Sequence, residues 1–104
     1  NIRNVKKETP LLALAHNPDT ISLIPDAFRK PDLVLSGHTH GGQMRLPFLG
    51  PIGNAKLKLG RKYYQGLFQF NDIPLFVTHG LGESMFAMRL FTPPEIVELT
   101  LLPE

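Results

Sequence analysis

Two short apolar runs, each left through histidine, constrain what this chain can fold into more than anything else in it. Leu11-Leu12-Ala13-Leu14-Ala15 follows Thr9-Pro10 and is closed by His16-Asn17-Pro18. Asp32-Leu33-Val34-Leu35-Ser36 runs into Gly37-His38-Thr39-His40. Continuous apolar runs this short, bounded by helix-breaking residues, read as buried strands rather than helices. Between them, Asn17 suits a helix cap and Pro18 a first helical position. Ile21, Ile24 and Phe28 follow at helical spacing, with Pro25 breaking the segment into a turn-rich helix or two short ones. Strand, helix, strand predicts a parallel crossover unit and an α/β fold.

The remainder is less regular. Residues 37–62 carry no clear period and hold six Gly and two Pro, which predicts a long functional loop. Tyr63 to Phe70 reads as a strand and Asn71-Asp72 as a tight turn. Ile73 to Thr78 reads as the return strand, weakened at Pro74. After the Gly80-Leu81-Gly82 loop, Glu95 to Leu102 reads as a last strand, giving an antiparallel set attached to the βαβ start. At 104 residues and 42% hydrophobic, residues 1–104 suffice for a single domain with one core. The absence of Cys excludes disulfides, thiolate zinc sites and a Cys nucleophile. A net charge of +2 excludes a polybasic nucleic-acid binder by bulk charge. The chain has no run of apolar residues long enough to span a bilayer. Its start, Asn1-Ile2-Arg3, reads as an interior point of a longer protein.

The chemistry gathers at strand ends. Loops that follow the carboxyl ends of neighbouring parallel strands share one crevice. If the two runs are neighbours, His16, His38 and His40 converge there. Neutral imidazoles suit Zn, Mn, Fe, Co or Ni, and with no Cys the set leaves open coordination positions, as catalytic sites do. The flanking Gly41 and Gly42 let backbone approach a ligand, and Gln43 is placed to contact it. Arg89 could reach an anionic substrate or serve a structural role. His79 also follows a strand but is left outside the metal set.

His16-Asn17-Pro18-Asp19, Gly37-His38-Thr39-His40-Gly41-Gly42-Gln43, Gly80-Leu81-Gly82 and Arg89-Leu90-Phe91-Thr92-Pro93-Pro94-Glu95-Ile96 together resemble the end of a calcineurin-like metallophosphoesterase. Within that superfamily the likeness is to the bacterial membrane-associated phosphohydrolase branch, and it covers about Pro10 to Leu102. The resemblance implies the C-terminal portion of an αββα sandwich. It also implies two divalent metal ions and hydrolysis of a phosphodiester or phosphomonoester by a metal-activated hydroxide. His16 and His38 would ligate one ion and His40 the other. Gly41, Gly42, Gln43 and Arg89 would line the substrate. The family's Asp-x-His, Gly-Asp and Gly-Asn-His-Asp/Glu blocks, with the general-acid His, are missing from these 104 residues. The four Asp present (Asp19, Asp26, Asp32, Asp72) sit in none of them. Two cations roughly 3.5–4 Å apart need a bridging carboxylate, so the chain alone is expected to hydrolyse little or nothing.

Lys56, Lys58, Arg61 and Lys62, together with the apolar stretch Met85-Phe86-Ala87-Met88, suggest contact with a membrane surface and a phospholipid-like substrate. Without the missing N-terminal half, the sheet edge and core face it would cover invite self-association. Two rival readings are a non-catalytic metal- or partner-binding module and a weak headgroup or nucleic-acid binder.

Overall fold

The computed structural model describes residues 5–52 and 56–102, so the chain start at Asn1 to Arg3 lies outside the described residues. The two apolar runs form strands β1 (Leu12–Ala15) and β2 (Leu33–Ser36), paired in parallel with Leu12 opposite Leu33 and Ala15 opposite Ser36. Asn17 caps the segment between them as its sequence suggests, its Oδ1 accepting from the Asp19 N–H at 2.9 Å. The helix itself is a 3-10 helix over Pro18–Leu23, not an α-helix. Ile24 is already extended at the position before Pro25, where a following proline ring disfavours helical backbone. The described residues contain no α-helix, so the helical share of the α/β expectation is met by 3-10 turns.

The 37–62 segment is more ordered than its composition predicts. It contains a 3-10 turn at His40–Gly42 and a two-stranded sheet of β3 (Arg45–Leu46) and β4 (Gly50–Pro51). Strands this short leave no periodicity to read. A further 3-10 turn, Arg61–Tyr64, takes up the first residues expected in the next strand, which begins only at Gly66. Strand β5 (Gly66–Phe70) then turns into β6 (Ile73–Val77) through Asn71 and Asp72, at φ 47° and 64°. Both left-handed residues match the twist of the flanking strands, as a two-residue hairpin requires. Pro74 is tolerated because pairing of β6 with β2 starts only at Leu75, beyond the missing N–H.

The main sheet runs β1-β2-β6-β5, with β6 parallel to β2 and antiparallel to β5. It is therefore mixed rather than a βαβ unit beside a separate antiparallel set. Val34, Leu75 and Val77 are all but fully buried on one face against Ile21, Tyr63 and Tyr64. Tyr63 meets the rings of Phe68 and Phe70 edge to face at 5.0 and 6.3 Å. The register places Leu14, Leu35, Phe76 and Leu67 in one row on the opposite face. Leu14 is 81% exposed and Leu67 69%, so the described residues leave this apolar row uncovered.

The expected last strand, 95–102, is absent: the segment carries no ladder, and Ile96 and Leu102 stand at least four-fifths exposed. Its apolar, β-branched content suits a strand, but a strand exists only through a neighbour, and neither edge of the sheet takes it up. Asp19 fixes the far side of the core, its two oxygens accepting from the Lys58 and Leu59 N–H groups at 2.9 and 3.0 Å.

Candidate metal and phosphoester site

The parallel pairing continues one step past the strands. Gly37 N–H donates to the His16 carbonyl at 3.2 Å, and Thr78 N–H donates to the Ser36 carbonyl at 2.9 Å. Three adjacent carboxyl ends are thereby held side by side, and the histidines that follow them share one edge of the sheet. His38 Nδ1 lies 3.1 Å from His16 Nε2, with the rings edge to face at 4.9 Å between centroids. His40 stands apart from this pair, its Nδ1 2.8 Å from the Gly82 carbonyl. A carbonyl only accepts, so Nδ1 carries the proton and Nε2 is the nitrogen with a free lone pair. A second-sphere hydrogen bond of this kind fixes the tautomer of a ligating histidine.

The loop that carries His38 and His40 is held in unusual backbone. His38, His40, Gly41, Gly42 and Gln43 all have positive φ, from 49° to 83°. Each of the three residues with a side chain costs about 1–3 kcal/mol in that region, so the surrounding packing over-determines the loop. Thr39 is buried in its middle; its Oγ1 donates to the Tyr64 carbonyl at 2.6 Å and accepts from the Gly41 N–H at 3.1 Å. A Cβ on Gly41 would lie 2.6 Å from Thr92 Cγ2 and 2.8 Å from His79 Cβ. Both glycines are buried packing positions, and Gly42 also borders the open cavity beside the histidines.

Gln43 and Arg89 are both expected to line the substrate, but the Gln43 amide and the two terminal nitrogens of Arg89 are committed to the chain, while Arg89 Nε is buried without a partner. Gln43 Nε2 donates to the carbonyls of Phe86 and Met88 at 2.7 and 2.9 Å, while Oε1 accepts from the Ser84 N–H and hydroxyl. These four bonds use the full capacity of the amide. The Arg89 guanidinium donates to the carbonyls of Thr92, His79, Gly80 and Gly82. Together the two side chains pin the loop 79–92 over the histidines. The sequence marked both residues as polar, but it carries no signal of which carbonyls they would meet.

His79, left outside the metal set, is buried with Nε2 2.8 Å from Glu95 Oε2. Burial works against the Glu95 charge. Hydrogen bonds from the Thr78 hydroxyl and the His79 N–H, with the His79 ring beside it, outweigh that and hold its pKa below the ordinary value of 4.5. A carboxyl with a lowered folded-state pKa stabilises the fold above the unfolded pKa, and that contribution is lost as pH falls through the folded value. Glu95→Gln is therefore expected to lower the melting temperature near neutrality and to match the parent well below pH 4.5, which a pair of thermal melts at the two pH values would check.

The residues present fit part of a metal centre. Two imidazole nitrogens on one tetrahedral ion, each at about 2.0–2.1 Å, stand about 3.3 Å apart, and the His16–His38 separation is close to that. Among the described residues, however, no group of three or more His, Asp or Glu comes together to hold an ion. Asp19 and Asp32 are engaged elsewhere, Asp32 with Arg29 and the Leu11 N–H. Lys56, Lys58, Arg61 and Lys62 are all exposed.

Compared with curated proteins, the chain is 41% identical over 95 residues to a phosphodiesterase, YaeI, of Escherichia coli, covering 89% of this chain and 33% of that protein. It is 39% identical over 90 residues to the metallophosphoesterase YkuE of Bacillus subtilis, covering 86% of this chain and 30% of the other. It belongs to the metallophosphoesterases. This is a family of hydrolytic enzymes. A third relative, the UDP-2,3-diacylglucosamine pyrophosphatase LpxG of Chlamydia muridarum, is 38% identical over 107 residues, covering 97% of this chain and 32% of that protein. The chain thus spans about a third of the length of these relatives. No family model matches it, and no solved structure gives a significant match.

Proposed function

We propose that this chain supplies the C-terminal part of a two-metal phosphohydrolase domain. In this reading His16 and His38 ligate one divalent ion, and His40 ligates the other through Nε2. The rest of the protein brings the carboxylates and the general acid. The observation that carries the reading is the 3.1 Å approach of His16 Nε2 to His38 Nδ1, set beside a His40 whose Nδ1 is spent on the Gly82 carbonyl. When bound, the ions supply Lewis acidity toward phosphoryl oxygens and a nucleophilic water at neutral pH.

The chain's own residues set the geometry. The Thr39 and Gly41–Gln43 backbone fixes where the imidazoles project, and Gln43 and Arg89 hold the loop 79–92 above them. Neutral imidazoles contribute no negative charge, so these residues alone do not offset two adjacent cations. The uncovered row Leu14–Leu35–Phe76–Leu67 is where the remainder of the domain packs, completing the sandwich. The substrate is a phosphoester. YaeI is named for a diester and LpxG for a pyrophosphate, and both reactions break a P–O bond.

The test compares the full-length protein with the 104-residue chain. After chelation, full-length protein is expected to regain hydrolysis of bis(p-nitrophenyl) phosphate on addition of Mn²⁺ or Zn²⁺. The isolated chain is expected to remain inactive and to self-associate in light scattering. Metal-independent turnover by the full-length protein, or robust turnover by a monomeric isolated chain, would sink the reading.

A further inference from the structure

The histidine loop and the loop pinned over it border an open cavity of about 290 Å³. Its lining combines the imidazoles of His38 and His40 with the apolar side chains of Met44, Ile52, Met85 and Phe86. Ile52, Met85 and Phe86 are 44%, 78% and 62% exposed, which leaves apolar surface open to solvent beside the two imidazoles. Burying it against a ligand releases that water at about 25 cal/mol per Å². The wall is built rather than loose: Gln43 grips Phe86 and Met88 by their carbonyls and Ser84 by its N–H, and Met44 follows Gln43 directly in the chain. The volume sits at the small end of ligand sites, room for a short alkyl chain or one aryl ring.

We propose that this cavity receives the apolar group of the phosphoester, so that the enzyme prefers substrates with an alkyl or aryl substituent next to the phosphate. The phosphate stays at the histidines and the apolar group lies along Ile52, Met85 and Phe86. Thioether side chains suit such a wall, since they adapt to groups of different shape. This inference rests on the phosphohydrolase reading of the same histidines.

The experiment uses the metal-loaded full-length protein and two diesters that share one leaving group, hexyl p-nitrophenyl phosphate and methyl p-nitrophenyl phosphate. Wild-type kcat/KM is expected to favour the hexyl ester by at least about tenfold, a fraction of what full burial of the extra methylenes would give. Phe86→Ser and Met85→Ser, each alone, are expected to bring that ratio down toward one. Leu23→Ser, at an exposed apolar residue of the 3-10 helix that does not line the cavity, is expected to leave it unchanged. A wild-type ratio near one with both esters turned over, or an equal fall for Leu23→Ser and Phe86→Ser, overturns the cavity assignment and leaves the phosphohydrolase reading standing. Turnover of neither ester overturns both.

Discussion

Gly42→Ala is expected to remove a large share of the stability of the fold. A Cβ at this position would lie 2.3 Å from Pro51 Cβ and 3.1 Å from Tyr64 Cδ2, and the backbone holds φ at +83°. Forcing a side chain into left-handed backbone costs about 1–2 kcal/mol, and overpacking a filled site adds about 1–3 kcal/mol. Neither neighbour has room to retreat: Pro51 is a ring in β4, and Tyr64 lies in the core under the sheet. The sum, about 2–5 kcal/mol, is a large share of the 5–15 kcal/mol typical of a native protein. Urea titration is expected to show the midpoint falling with little change in slope. Gly37→Ala serves as the contrast, because nothing lies within 4 Å of its Cβ position. Its midpoint is expected to hold or rise slightly. A Gly42→Ala midpoint equal to that of Gly37→Ala would show that the close approach to Pro51 is not maintained in solution.

The second large effect is on chemistry. His38→Ala in the full-length enzyme is expected to lower kcat/KM by about a thousandfold, since losing one ion forfeits several kcal/mol of transition-state charge stabilisation. Bound metal, counted by atomic emission, is expected to fall by about one ion per chain. His79→Gln provides the comparison. His79 is equally close to a strand end, yet its ring is turned to Glu95. Its substitution is expected to lower thermal stability while metal content holds. Activity of His38→Ala within about threefold of wild type, with metal content unchanged, would remove His38 from the ligand set.

Much of the sheet was legible because its determinants are local. The two apolar runs pair as read, Asn17 caps where its side chain and the following proline direct, and Asn71-Asp72 makes the tight turn that joins β5 to β6. What failed depends on partners far along the chain. The segment 95–102 has the apolar content of a strand and no strand to lie beside. Strands β3 and β4 are two residues each, too short to leave a pattern. At the site, the sequence picked out His16, His38 and His40 from type and spacing, and the structure brings the first two into contact. It could not tell that the Gln43 amide and the terminal nitrogens of Arg89 are spent on the loop 79–92: the carbonyls Gln43 meets lie more than forty residues away, and those Arg89 meets are set by how its own loop folds back. The left-handed backbone at His38 and His40 was equally hidden, since nothing in a histidine announces it.

That left-handed loop has an entropic consequence. A flexible loop must surrender its conformational freedom when it captures an ion, and the loss weakens binding. Here five of the six residues from His38 to Gln43 already occupy the sparsely populated region before any ligand arrives. The ordering cost has been met during folding, by Thr39, Tyr64 and the packing around the two glycines. If these histidines hold an ion as proposed, its affinity scales with the integrity of the core beneath them, and a change in packing far from the imidazoles would be felt first as a change in how tightly the ion is held.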